Sequence, residues 1–159
     1  MRNRIRSTLP DSDRVLTFIS AHLCPNGPYV RRREAAYLAV HAAPGDLTLL
    51  TGDFNSASPH DPKPEGFDAL AAHHRVRYLA DNLRTVDRSV LARLVAAGWV
   101  DIGNAIGRPA APTVPTASFT GTEFAVMRCD YLLASRALAA HARSYQVIRT
   151  PVTDMASDH

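Results

Sequence analysis

The chain has 159 residues, enough for one domain with a buried core, and its 46% hydrophobic and 21% charged content excludes a disordered chain. Eighteen Lys+Arg against 15 Asp+Glu leave a formal charge of +3, which permits an anionic partner but lacks the clustered basic footprint of a dedicated nucleic-acid binder. The two cysteines, Cys24 and Cys129, lie far apart; they argue against a disulfide scaffold or structural zinc site and read as reduced, buried thiols.

Residues 1–14 are basic but lack the apolar stretch of a signal peptide, and no later run approaches membrane-spanning length, so a soluble chain without a membrane span, cytoplasmic by preference, is expected. Residues 15–21 (VLTFISA) are β-branched and aromatic enough for a strand, ending at His22-Leu23-Cys24-Pro25. Asn26-Gly27-Pro28 is turn chemistry, and residues 29–43 read as a helix stopped by Pro44-Gly45. The short apolar run 47–51 (LTLLT) predicts a buried strand leading into Gly52-Asp53-Phe54-Asn55. Residues 56–66 form a polar, proline-studded loop, 67–79 a predicted helix, and 89–97 (SVLARLVAA) a clearer amphipathic helix ending at Gly98. After a proline-rich connection over 107–115, residues 125–135 predict a strand, 136–142 a short helical piece and 145–149 a further strand. Strands and helices are mixed and polar residues gather at strand ends, where α/β-type architectures place chemistry on groups fixed by a rigid sheet.

Asp, Asn and His recur at these strand ends. In an extended chain Asp53 and Asn55 share one face while Phe54 faces the core; the same tetrapeptide serves equally well as an Asp/Asn turn closing a strand. Alternation around Arg128-Cys129-Asp130-Tyr131 sends Arg128 and Asp130 one way and Cys129 and Tyr131 the other. An Asp inside an apolar strand needs a partner: either Arg128, in a simple ion pair, or a histidine that the carboxylate holds in one tautomer. Asp158-His159 supplies a histidine beside a hard oxygen donor suited to Mg²⁺ or Mn²⁺, and His22 closes the first strand. His60, His73 and His74 in the 56–76 segment read as surface or cap residues rather than ligands.

Taken in order, the strand ending His22-Leu23, the helix with Arg32 or Arg33 and Glu34, Gly52-Asp53-Phe54-Asn55, Trp99-Val100-Asp101, Arg128-Cys129-Asp130-Tyr131 and Ser157-Asp158-His159 resemble the endonuclease/exonuclease/phosphatase superfamily across nearly the whole chain. The resemblance implies an α/β (α+β) fold, part of a four-layer α/β/β/α sandwich of the deoxyribonuclease I-like type. It implies a Mg²⁺- or Mn²⁺-dependent hydrolase of a phosphodiester or phosphomonoester, with nucleic acid among the candidate substrates. By the same resemblance His22, Asp53, Asn55, Asp130 and His159 are catalytic: Asp53 positions or deprotonates water, Asn55 bonds a phosphoryl oxygen, His22 contacts the phosphate or assists the leaving group, and Asp130 pairs with His159. Asp158 and Asp53 are the implied metal ligands. Such chemistry needs an oriented water and neutralised phosphoryl charge, and no covalent nucleophile.

Two departures accompany the resemblance. The family's first half supplies an asparagine and a metal-binding glutamate that nothing before Val15 matches, and the apolar strand after the final Asp-His has no counterpart. Residues 1–159 are therefore expected to form a single partial domain, its N-terminal half and last strand missing, with weak Mg²⁺ binding on its own. The competing readings are a non-catalytic half-domain and a family fold recruited to non-hydrolytic chemistry. Thr116-Ala117-Ser118-Phe119-Thr120 lacks the tryptophan of exonuclease III-type repair enzymes, which demotes abasic-site repair.

Overall fold

The computed structural model describes residues 2–107, 111–119 and 123–159. They form one mixed five-stranded sheet in the order β1-β2-β3-β5-β4. β1 (Arg2–Thr8) runs antiparallel to β2 (Val15–His22), which runs parallel to β3 (Leu47–Asp53) through the crossover helix α1 (Pro28–Ala39). β5 (Asp130–Ala134) pairs antiparallel with both β3 and the two-residue β4 (Val100–Asp101). The class is α+β.

Proline at the first turn of α1 and the Pro44-Gly45 stop bracket that helix as the sequence indicates. It buries Arg31, Ala35 and Leu38, spaced i, i+4, i+7, and α3 (Ser89–Ala96) buries Val90, Leu91 and Leu94. Both helices pack on one sheet face, over Ile19, Ala21, Leu50, Tyr131 and Leu133. Each fully buried aliphatic side chain contributes roughly 1.5–3 kcal/mol. The Trp99 indole closes this core by donating to the Leu38 carbonyl at 3.1 Å.

The opposite face carries Ile5 and its cross-strand neighbour Phe18, 68% and 39% exposed. Ile102 of α4 (Ile102–Ile106), Leu138 of α5 (Arg136–Ala139) and the residues from His141 to Ser144 lie along the β5 side of that face, beside Leu16, Leu49 and Leu132. The described residues thus supply one sheet of a layered architecture.

Several elements differ from their sequence-based expectation. The basic start, to which the sequence assigns no element, is β1, which β2 recruits by backbone pairing although Ile5 is its one apolar residue. The helix expected over 67–79 is broken into a 3₁₀ turn at Phe67–Ala69, a single turn α2 (Ala72–Arg75) and a second 3₁₀ turn at Val76–Tyr78. Leu70 and Ala71 are extended there, and Phe67 and Tyr78 pin both ends of the segment into a second core with Val114, Met127 and Cys129. The strand expected over 125–135 shortens to β5, preceded by isolated bridges at Val126 and Met127. Residues 145–149 have β-forming side chains but no ladder partner among the described residues, and a lone segment has no reason to become a strand. Cys24 is half-buried rather than buried, Cys129 is buried as expected, and both are free thiols. Part of the 107–115 connection (108–110) and Thr120 lie outside the described residues. No helix is long and apolar enough to cross a membrane.

Candidate active site

Register brings the strand-end residues together. His22 is the cross-strand partner of Asp53, and Asp53 is the partner of Asp130, so three adjacent strand ends present His-Asp-Asp on one face. Gly52 makes that approach possible: it sits at φ +135°, and a Cβ there would lie 1.9 Å from the Ala21 carbonyl oxygen. Phe54 then turns inward, edge-on to Tyr131 with ring centroids 5.6 Å apart. Asn55 adopts the left-handed region at φ 48°, which Asn tolerates better than other side chains.

Asn55 is buried and holds Asp53. Its backbone N–H donates to Asp53 Oδ1 at 2.7 Å, and its side-chain Nδ2 donates to Asp53 Oδ2 at 2.8 Å and to the Leu23 carbonyl at 3.0 Å. Both amide hydrogens are thereby committed, so Asn55 fixes the carboxylate's orientation; reaching a phosphoryl oxygen requires releasing one of them. His22 Nε2 lies 3.4 Å from Asp53 Oδ2.

The end of the chain reaches the same place by a separate route. α6 (Pro151–Ala156) is capped by a reciprocal Thr150–Thr153 box. Thr116 holds the residues that follow, its N–H donating to the Asp158 carbonyl and its hydroxyl to the Ser157 carbonyl at 2.6 Å. His159 is thus delivered to Asp130, Nδ1 to Oδ2 at 2.7 Å, with its Nε2 3.9 Å from Asp53 Oδ2 and the Phe124 ring edge-on beside it. The expected Asp130–His159 pair is present. Arg128 does not compete for Asp130: it is engaged by Asp101 and Asp61.

The electrostatics follow from these contacts. Asp130 raises the His159 pKa through its hydrogen bond, against the opposing effect of burial. Burial pushes Asp130 up, but the hydrogen bonds from His159 and Thr113 outweigh it and the net direction is down. Asp53 moves up, because burial dominates over the Asn55 N–H and the histidines. The six candidates His22, Asp53, Asn55, Asp130, Asp158 and His159 all line one open cleft of about 410 Å³, with Pro25, Arg77, Glu123, Phe124 and Ser157. Among the described residues, ligand atoms of Asp53, Asp130 and His159 lie within 4.8 Å of one another, a group able to hold a metal ion. Asp158 borders the cleft outside that group.

Sequence reading missed Arg77 and Glu123. Neither belongs to a motif, and their place at the cleft depends on how the 56–79 segment and the turn before β5 fold over it.

No family model and no curated protein matches the chain by sequence. Solved structures do match. An AP endonuclease from Archaeoglobus fulgidus superposes with a TM-score of 0.58 at 18% identity, covering 86% of this chain and 54% of that one. A 3′ phosphatase from Neisseria bound to product DNA hairpin gives 0.55 at 17% identity, covering 87% and 59%. A mannosyl-6-phosphatase from Bacteroides thetaiotaomicron gives 0.51 at 16% identity, covering 84% and 42%. A further match is an endonuclease/exonuclease/phosphatase family protein of that organism. The chain carries the endonuclease/exonuclease/phosphatase fold. It spans about half the length of the structures it matches. The endonuclease/exonuclease/phosphatase sheet therefore frames the His-Asp-Asp edge described above.

Proposed function

We propose that this cleft hydrolyses a phosphate ester by attack of an activated water. The observation that carries the reading is the convergence of Asp53, Asp130 and His159, far apart in sequence, within 4.8 Å in an open cleft, on a fold shared with an AP endonuclease, a 3′ phosphatase and a mannosyl-6-phosphatase.

Asp53, oriented by Asn55 and made more basic by burial, accepts a proton from water lying between it and His159. Asp130 holds His159 with Nδ1–H toward the carboxylate and Nε2 toward the cleft. As imidazolium, His159 donates Nε2–H to a phosphoryl oxygen on which charge develops. His22, mostly exposed at the rim, is placed to meet the leaving group or a flanking phosphate.

The donor set fits a hard divalent cation. Two cross-strand carboxylates held close together, with Asp158 nearby, concentrate negative charge that one such ion offsets. Bound there, Mg²⁺ or Mn²⁺ supplies Lewis-acid polarisation of the phosphoryl group and a lowered pKa for water. Asp53 and Asp130 of the close group, together with Asp158, are the residues that would hold it.

We also read residues 1–159 as part of a larger domain. The half-length coverage of the matched structures and the exposed Ile5–Phe18 face support this. The test is Mg²⁺-dependent hydrolysis of a phosphomonoester, a phosphodiester and DNA, by the chain alone and joined to its neighbouring coding sequence. Turnover abolished by EDTA and by Asp53→Asn supports the reading; an inert extended protein that binds Mg²⁺ in this cleft refutes it.

A further inference from the structure

Arg77 is the only arginine or lysine among the described residues that line the cleft, which otherwise presents Asp53, Asp130, Asp158 and Glu123 with two histidines. A phosphoryl anion entering such a carboxylate-rich cleft needs a cation fixed in advance. We propose that Arg77 is that group: a phosphate-binding guanidinium, held in reserve by Glu123, that grips the non-bridging oxygens of the substrate. The proposal rests on the phosphoesterase reading and names the recognition element of that same site.

Its support is structural. The Arg77 backbone is fixed by a second arginine, Arg31, 1% exposed, whose Nη2 donates to the Arg77 carbonyl at 2.6 Å. Arg31 Nη1 donates to the carbonyls of Cys24 at 3.3 Å and Pro25 at 3.1 Å. A buried cation bonded to three backbone carbonyls, with its Nε left unpartnered, is an expensive arrangement. Here it ties the loop after His22 to the 3₁₀ turn at Val76–Tyr78. The Arg77 side chain returns to the same point, Nε donating to the Pro25 carbonyl at 3.3 Å, and its guanidinium lies 5.6 Å from the Tyr78 ring centroid.

One face of the guanidinium fork is thus anchored while Nη1 points to Glu123 Oε2 at 2.8 Å. That ion pair is built to exchange. The Arg77 side chain is 17% exposed and Glu123 46%, so the pair opens to solvent on its Glu123 side, where water weakens it. A phosphate offers the same charge-assisted geometry in bidentate form with more charge. Glu123 therefore neutralises Arg77 in the empty cleft and yields it to the ligand.

The test is calorimetric titration of inorganic phosphate, with and without Mg²⁺, into the full chain and into R77Q, R77K, E123Q and the exposed control R93Q. R77Q is expected to weaken binding at least tenfold and R77K to restore part of it, charge without the fork. E123Q should tighten binding severalfold because the internal competitor is gone, and R93Q should leave it unchanged. The opposite signs at positions 77 and 123 keep the test decisive should one variant fold poorly. No phosphate binding by the parent chain, equal affinity in R77Q, or weaker binding in E123Q would overturn the assignment. Phosphate held through Arg77 without ester hydrolysis would sustain this inference and sink the phosphoesterase reading. Hydrolysis with unchanged KM in R77Q would do the reverse.

Discussion

Arg128 and Asp130 are two residues apart, and each is the centre of a carboxylate cluster, yet the clusters have opposite characters. Around Arg128 every charge is satisfied. The guanidinium is fully buried, bidentate to Asp61 at 3.0 Å on both oxygens and to Asp101 at 2.8 and 2.6 Å, and lies 4.3 Å over the Tyr131 ring. Burial alone lowers its pKa, but the two carboxylates overcome it and hold the charge firmly on. Around Asp130 the charges are only partly satisfied: His159 is shared between two carboxylates, His22 approaches Asp53 only from the exposed rim, the cleft is open, and Asp53 is pushed toward protonation. Completed ion pairs clamp a loop to a strand, whereas incomplete ones keep proton affinity available for chemistry.

The strongest way to break the first cluster is Arg128→Met, which strands Asp61 and Asp101 in the interior. A loss of about 3–5 kcal/mol in denaturant-unfolding stability is expected. The second cluster responds differently. Asp53→Asn should leave the unfolding midpoint nearly unchanged, yet cost about 3–4 kcal/mol in transition-state stabilisation when kcat/KM is measured on the extended, active chain.

Thr113→Val tests the seam between the clusters. Its hydroxyl accepts from the Cys129 and Asp130 N–H groups at 3.0 and 3.1 Å. Losing it should cost about 1–3 kcal/mol of stability and raise the Asp130 pKa, which a histidine-observed NMR titration reads as a lowered His159 pKa.

A pH series sharpens the contrast further. His159 is raised, so its pairing contributes stability fully below its ordinary value of 6.5 and loses it as pH rises through the raised folded value. Asp130 is lowered, so its contribution is present above its ordinary 3.8 and is lost as pH falls through the folded value. Between these limits the pair stabilises most, and His159→Gln should flatten both edges of the stability profile. Asp53 acts in the other sense: being raised, it favours the fold below 3.8 and loses that contribution as pH rises through its folded value. With His159 as imidazolium donor, kcat/KM should decline as pH rises through the raised His159 value; an increase instead would make His159 the base. The smallest effect is expected from Mg²⁺ on the 159-residue chain. A gain in unfolding free energy below about 1 kcal/mol at millimolar ion, absent in Asp53→Asn, follows from so few fixed oxygen ligands.

What the sequence determined by itself is local. Alternation and turn chemistry at 52–55 set Asp53 and Asn55 at a strand end with Phe54 inward, and helical spacing marked α1 and α3, because these depend on residues a few positions apart. The order of the motifs carried the fold class and the six cleft residues. Only the tertiary structure could decide the partners. Whether Arg128 met Asp130 or Asp101 depended on where β4 docked, and β1 exists because β2 offered it an edge. Residues 67–79 gave up one helix to bury Phe67 and Tyr78, and that turn placed Arg77 over the cleft. Each outcome compares contacts between distant segments, whose free energies are comparable to the local preferences they override and leave no pattern within one stretch of chain.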